Sequence, residues 1–514
     1  MKPCVLAIDH GTQSVRALLI DADGNLLAKS QVAMDAYRTP QPGWLEIEPD
    51  AFWSALCAAC QQLWPQLPVP RNSIVAMVLT TQRATTIALD ANGRPLRPAL
   101  VWLDQRRASR IPRLAWWWEL ALRAVAMRST VRHFQHEAEA NWMAEHEPGL
   151  WAGTAKFLLL SGYLHYRFTG EFVDSTASQV GYIPFDYRRA CWAAPHDWKW
   201  QALPIRHSQL PQLCPVTQTI GKVSAQAAAD TGIPQGLPII AGAADKACEV
   251  LGAGCLTPDV ACLSYGTAAT VSITTSRYME ALPFVPPYQA ALPGHYNCEI
   301  QISRGFWLVR WFKDEFGLHE RQLAEKLGVT PESLFDDLVN SVPPGADGLM
   351  LQPFWNPGIK VPGPEARGAI IGFGDVHTRA HLYRAILEGL GYALREGKER
   401  LERRSGTTVQ TVRVAGGGSQ SDAALQITAD IFNLPCERPH LYETSGLGAA
   451  MIGAVGMGLH TDFQAAAQAM TRTGKRFVPD PRHVSSYQGL YQGVYRRMYD
   501  KLRPLYHRLK ETRT

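Results

Sequence analysis

The sequence lacks the short signatures by which nucleotide and metal enzymes are most often read. There is no GxxxxGK[ST], no strict GxGxxG after an apolar run and no HExxH, which disfavours a P-loop ATPase, a dinucleotide-dependent dehydrogenase and a zinc hydrolase. An excess of charge of one sign is missing too. Lys and Arg number 51 against 46 Asp and Glu, for a net charge of +5, and the basic residues are interspersed with acids, so no nucleic-acid partner is expected. The most apolar stretch, 114–127, is too short to span a membrane and contains Glu119 and Arg123, so no membrane partner is expected either. Of the ten cysteines only Cys57 and Cys60 are close, without a second CxxC or a histidine partner. Buried thiols and a reducing compartment are the expectation. Met1-Lys2-Pro3 runs directly into an apolar stretch with no legible signal peptide, which adds the expectation of a cytoplasmic protein.

What is present begins at residues 5–28, VLAIDHGTQSVRALLIDADGNLLA. An apolar run meets the polar cluster Asp9, His10, Gly11, Thr12, Gln13 and Ser14. A second apolar run then leads to Asp23-Gly24, a strong turn dipeptide, and the pattern predicts strand, tight turn, strand, turn, strand. The first turn offers glycine for close backbone approach, two hydroxyls and a carboxylate, a set suited to a phosphate and its Mg2+. A second copy stands at 260–274, VACLSYGTAATVSIT, with Gly266-Thr267 at its turn. Two such hairpins in a chain of 514 residues, 46% hydrophobic, predict two similar lobes facing one nucleotide.

Between and beyond them the chain alternates apolar strands with helical patterns. A helix is expected over 49–64 and strands over 74–79, 85–89 and 99–102. These deliver Thr80, Thr81, Gln82, Arg83, Asp104, Gln105 and Arg106 to strand ends, where open α/β sheets place ligands. Helix is expected over 110–151 and 156–169, a hairpin from 170, and irregular chain over 184–215. A strand at 238–241 leads into AGAADKACEVLGAG, where Asp245-Lys246 stands on a loop of small residues. In the second half we expect helices at 305–316 and 377–404, a Pro- and Gly-rich loop at 343–368 and a strand at 409–415. The triple glycine Gly416-Gly417-Gly418 comes next, then a capped helix to Phe432, a glycine-rich helix at 446–458 and an amphipathic helix at 496–513. Each site feature also has a structural reading taken singly: a Gly-Thr turn can be only a turn, a triple glycine only a tight connection, and Asp245 only a helix cap.

Taken together, the chain resembles the FGGY carbohydrate kinases. The residues that carry the resemblance are AIDHGTQSVRALLID (7–21), PGWLEIEPDAFW (42–53), TTQRATT (80–86), VWLDQR (101–106), AGAADKACEVLGAG (241–254) and SYGTAA (264–269). In the second half they are EARGAIIGF (365–373), VAGGGSQSDAALQITADIFNLPCERP (414–439) and LGAAMIGA (447–454). The resemblance implies an α/β fold of two ribonuclease H-like, actin-like ATPase lobes with a nucleotide and substrate cleft between them. Residues 1–254 would form the lobe with the sugar site, first phosphate hairpin and catalytic base. Residues 255–514 would form the lobe with the second hairpin and the adenine-nucleotide loop.

It also implies roles. Asp9 would hold Mg2+, with Gly11, Thr12, Gln13 and Arg16 around the phosphates. Gly266 and Thr267 match the second phosphate turn, and Gly416, Gly417, Gly418 and Ser421 match the adenine-nucleotide loop. Asp245 matches the base that takes the proton of the acceptor hydroxyl. Arg83 and Trp102 follow a glycerol-kinase pattern of substrate contacts, while Asp104 sits in a WxD arrangement like that of xylulokinases and would bind a sugar hydroxyl. The chain departs from the pattern at Ala84, where an acid is expected, at Thr270, where an aromatic is expected, and in segment 128–153, where the usual substrate tyrosine has no counterpart. These losses imply a roomier pocket. Lys246, where relatives carry an amide, would lower the pKa of Asp245 or meet an acidic substrate, or else face solvent or a neighbouring acid. His133, His136 and His146 read as a solvated helix face rather than a metal site.

The expectation is an ATP- and Mg2+-dependent kinase that phosphorylates a small sugar or polyol, a ketose such as xylulose or a glycerol-like polyol, as a homodimer or homotetramer. The alternatives are an actin- or chaperone-like ATPase without transfer to sugar, and an inactive sugar-binding regulator.

Overall fold

The apolar runs flanking the first polar turn become neighbouring strands. In a computed structural model, which describes residues 2–329, 331–356, 358 and 362–512, β1 (Cys4–His10) and β2 (Ser14–Asp21) pair antiparallel with Asp9 opposite Arg16. Every residue of β1 is buried, as a strand covered on both faces requires. β3 (Leu26–Ala33) continues the meander, β4 (Ile74–Thr81) lies parallel to β1, and β5 (Thr219–Lys222) and β6 (Pro238–Ile240) complete the sheet in the order β5-β6-β4-β1-β2-β3. The helix α1 (Pro49–Leu63) starts with proline in its first turn, where the missing N–H costs nothing.

The same order recurs further along. β7 (Val260–Tyr265), β8 (Ala269–Thr275), β9 (Tyr296–Ile302), β10 (Thr411–Ala415), β11 (Cys436–Pro439) and β12 (Thr473–Phe477) run β9-β8-β7-β10-β11-β12, with a seventh, two-residue strand, Tyr288–Gln289, paired antiparallel on the far side of β9. β7 and β8 form the antiparallel hairpin, β10 and β11 follow in parallel, and β12 is an antiparallel edge. The repeated hairpin of the sequence thus belongs to a repeated sheet.

The chain forms two compact units. The first holds the residues up to Gly254 together with Ser276–Asn297 and Glu443–Thr471; the second holds Cys255–Thr275, Cys298–Tyr442 and the residues from Arg472. In the first unit the helix α2 (Asp245–Gly252) follows β6. In the second, α3 (Asp422–Phe432) follows the triple glycine. α4 (Thr444–Gly456) belongs to the first unit and packs on α2, β1 and β4. Its glycines make that fit possible. A Cβ on Gly448 would lie 1.9 Å from the Cys248 carbonyl oxygen, and one on Gly252 2.0 Å from that of Thr444, so the two helices touch backbone to backbone.

Several local expectations change. Residues 156–169 divide into a strand, Lys156–Leu159, paired with Thr86–Leu89, and a helix, Leu160–Thr169. A short apolar run has no periodicity to tell strand from helix, and the open sheet edge claims it. Instead of a hairpin after Gly170, Val173–Ser175 pairs in parallel with Gln212–Cys214. The expected loop 343–368 contains the strand Met350–Gln352, and its residues 357 and 359–361 lie outside the described residues, as does 513 of the last helix. The ten cysteines are free thiols. Among the described residues no helix is long and apolar enough to cross a membrane.

Candidate active site

In the first unit the site is built from the turn after β1, the ends of β4, and the start of α2. Gly11 closes the first turn with its amide on the Ser14 carbonyl at 3.1 Å. Thr12 is locked within it: its hydroxyl donates to Gln82 Oε1 and accepts from Trp102 Nε1, both at 2.9 Å, and its carbonyl accepts from the Tyr37 hydroxyl. Trp102 has one N–H donor, already used on Thr12, so what it can offer a ligand is its half-buried ring. Gln13 is exposed.

Asp9 is buried and pairs with Arg16 Nη1 at 3.0 Å; Arg16 Nε lies 3.4 Å from Glu443, which also pairs with Lys29. Burial, reinforced by the charges of Asp245 and Glu443, pushes the Asp9 carboxyl up to about 6 against the pull of Arg16. Burial is the largest of these effects.

Asp245 stands not on a loop but as the first residue of α2, with its carboxylate accepting from the Lys246 amide at 2.7 Å. The small residues before it are a fitted mount. Gly242 passes so near β4 that a Cβ would lie 2.4 Å from the Leu79 carbonyl oxygen, the Ala243 carbonyl accepts from Thr80 at 2.8 Å, and the Ala244 amide donates to Ala177 at 3.1 Å. Burial raises the Asp245 carboxyl above its ordinary range, although Lys246 and Arg83 pull it down. The Lys246 ammonium donates to Glu249 at 3.1 Å. Both expected effects of Lys246, on Asp245 and toward a neighbouring acid, are thus present, with burial outweighing the first.

Asp104 is a correction. Its Oδ1 accepts from the Arg106 amide (2.9 Å) and Nε (2.8 Å), and its Oδ2 from the Leu45 amide (2.6 Å) and Arg106 Nη2 (2.8 Å). With two acceptances per oxygen, no capacity is left for a sugar hydroxyl. Arg106 in turn pairs with Glu46 and lies over Trp44 and Trp142, so Asp104 orients a buried network.

In the second unit the carbonyls of Gly266 and Thr267 accept from the amides of Phe306 (3.1 Å) and Trp307 (3.3 Å). Tyr265 and Phe306 stack at 4.2 Å. That stack explains two of the three glycines: a Cβ on Gly416 would reach 2.9 Å from the Tyr265 backbone, and one on Gly418 2.3 Å from the Phe306 ring. Gly417 is exposed, and its Cβ would meet only the Tyr442 hydroxyl, at 3.4 Å. The Ser421 hydroxyl caps α3 by accepting from the Ala424 amide at 3.0 Å and donates to Asp336, which also takes the Ala423 amide. Thr270 is buried opposite Ser264.

His136 bonds the Ala108 carbonyl and His146 stacks on Trp142 at 4.9 Å; among the described residues no three His, Cys, Asp or Glu gather as a metal cluster. Glu443 and Tyr37 were not singled out from sequence. Glu443 carried one signal, an acid immediately before a helix start; Tyr37 joins the site only through a contact distant in the chain.

Two units of one sheet order, a Gly-Thr hairpin in each and a carboxylate mounted at a helix start define a two-lobed phosphotransferase. The chain belongs to the FGGY family of carbohydrate kinases: the family's N-terminal domain matches residues 4–252 and its C-terminal domain residues 261–457. It is 30% identical over 496 residues to the uncharacterized sugar kinase YgcE of Escherichia coli, covering 95% of this chain and 92% of that one, and 27% identical to a xylulose kinase of Lactococcus lactis, covering 99% and 98%. A ligand-bound xylulose kinase of Lactobacillus acidophilus shares the fold with a TM-score of 0.82 at 20% identity, over 99% and 100% of the two chains. The protein is a carbohydrate kinase of ribonuclease H-like architecture.

Proposed function

We propose that this kinase phosphorylates a hydroxyl of a small sugar or polyol, a ketose such as xylulose or a glycerol-like polyol, with Asp245 as general base. The observation that carries the reading is the mount of Asp245: a carboxylate on a rigid helix start, raised in pKa by burial and electrostatically coupled to Arg83 and to Asp9. A base tuned upward toward the working pH is what proton transfer from an alcohol favours, and such catalysis typically supplies about 10²- to 10⁴-fold.

In this reading the acceptor oxygen bonds to the γ-phosphorus as the bond to the β–γ bridging oxygen breaks, and the hydroxyl proton passes to Asp245. Arg83 donates to acceptor hydroxyls, and the Trp102 ring bounds the pocket. Gly11, Thr12, Gln13 and Arg16, with Gly266 and Thr267, hold phosphate, and Gly417 lies where a nucleotide can approach the backbone. The sugar and base functions belong to residues 1–254 and the adenine-nucleotide loop to 255–514. Bound ATP with Mg2+ supplies the phosphoryl group and neutralises its charge. Mg2+ is held through one or two carboxylates besides phosphates and water; Asp9, a buried carboxylate beside the first turn, fits that need and would hold it.

The test is an ADP-release screen over polyols, ketoses, aldoses and sugar acids with product analysis, repeated with Asp245→Asn. The variant is expected to fold and bind nucleotide and to lose transfer by several orders of magnitude. Near-normal turnover would sink the assignment of the base.

A further inference from the structure

β6 ends at Ile240, and residues 241–244 carry the chain from the sheet to Asp245 at the start of α2. Two of the contacts that hold this crossing come from one short turn elsewhere in the first unit. The Ser175 hydroxyl donates to the Gly242 carbonyl at 2.5 Å, and the Ala177 carbonyl accepts from the Ala244 amide at 3.1 Å, with Ala177 paired in parallel to Ala243. Gly242 is buried, and a buried carbonyl that loses its donor carries the cost of its desolvation uncompensated.

The turn itself is organised around Asp174, which is fully buried together with Ser175. Its Oδ1 accepts from the Ser175 amide at 2.8 Å and faces His165 Nδ1 at 3.1 Å. Its Oδ2 accepts from the Ser161 hydroxyl at 2.7 Å and from the Gln179 side-chain amide at 2.6 Å. Gln179 also donates to the Ser175 carbonyl at 3.0 Å, and the Ala177 amide to the Ser175 hydroxyl at 3.3 Å. With two partners on each oxygen, the Asp174 carboxyl is filled and its task is orientation rather than ligand binding. A side chain so enclosed fixes the helix Leu160–Thr169 and the turn 175–179 against each other. The Ser175 hydroxyl passes that order on to the mount of Asp245.

We propose that Ser175, held in place by Asp174, is a positioning residue for Asp245: by fixing Gly242 it sets where α2 presents the carboxylate to the acceptor hydroxyl. This rests on the reading of Asp245 as general base.

The test uses the full-length enzyme with D-xylulose as probe, or glycerol where only the polyol is turned over. Ser175→Ala is expected to lower kcat about tenfold, with KM for the probe and for ATP within about twofold of wild type, because binding is kept and the base is misplaced. Ser30→Ala is the control. Ser30 is buried in the same unit and donates to the Ala59 carbonyl at 2.5 Å, so its loss should lower Tm to a similar extent and leave kcat within about twofold. In an Asp245→Asn background, Ser175→Ala should lower the residual rate by less than about twofold. Should Ser175→Ala fail to fold, Ser175→Cys keeps the bulk with a weaker donor and is expected to lower kcat with the same unchanged KM. The proposal is overturned if Ser175→Ala keeps kcat within about twofold of wild type while its Tm falls as in Ser30→Ala, or if the loss persists in full without the Asp245 carboxylate. If Asp245→Asn itself turns over near normally, the reading of the base fails first and the role of Ser175 goes with it.

Discussion

Gly448→Ala tests how the base is placed. The added Cβ would sit 1.9 Å from the Cys248 carbonyl oxygen, where real Cβ atoms do not come within 3.0 Å of a neighbour. Neither partner is a flexible side chain, so α2 and α4 must part by roughly 1 Å. Cys248 lies less than one helical turn from Asp245, and the carboxylate must share the shift. Overpacking a rigid core costs typically about 1–3 kcal/mol, and the upper end applies where backbone meets backbone. A displacement of about 1 Å at a reacting group can cost about 10²-fold in rate. The expected outcome is a fall of about 100-fold in kcat/KM for the acceptor with Tm lower by a few degrees, measured by coupled ADP release and calorimetry. Gly489→Ala is the control: it is an exposed helix glycine with nothing within 4 Å of the new Cβ, expected to stabilise by about 0.5–1 kcal/mol without changing kinetics. Activity near wild type in Gly448→Ala, with Tm lowered, would refute the claim that this contact places Asp245.

Two further outcomes follow from the site. The Asp9 carboxyl rises from 3.8 to about 6 on folding, roughly two units at about 1.4 kcal/mol each, or about 3 kcal/mol. Because the folded value is the higher one, ionisation costs stability, and the cost grows as pH rises from about 4 to about 6 and is constant above. Asp9→Asn, free of metal and nucleotide, should therefore unfold at a higher temperature than wild type at pH 7.5 and at a similar one at pH 4; a difference independent of pH would contradict this. Ala84→Glu restores a hydroxyl acceptor beside Arg83 and is expected to raise kcat/KM for glycerol about tenfold, the effect of one hydrogen bond of about 1.4 kcal/mol. Unchanged glycerol turnover would show that Ala84 does not set the specificity.

Much of the fold was legible because its signals are local. The meander of β1 to β3 follows from apolar runs broken by Asp9 to Ser14 and Asp23-Gly24, and the capped start of α3 from the polar residues after the triple glycine. The same locality misled at 156–159, where a neighbouring strand decided the conformation, and at Asp104, where the Leu45 amide, distant in the chain, joins Arg106 in taking up the carboxylate.

By itself, then, the sequence determined the two hairpins, the turn chemistry of Asp9 and Gly266, and the small-residue stretches around Asp245 and in α4, since all of these arise from steric and hydrogen-bonding rules acting over a few residues. Only the tertiary structure decided which small residues are contacts, that Glu443 reaches Arg16 and Lys29, and that the segment carrying Tyr288 returns to the first unit to lie over Arg83. These pairings join residues tens to hundreds of positions apart. Their partners are fixed by the packing of a whole unit, which no short-range pattern encodes.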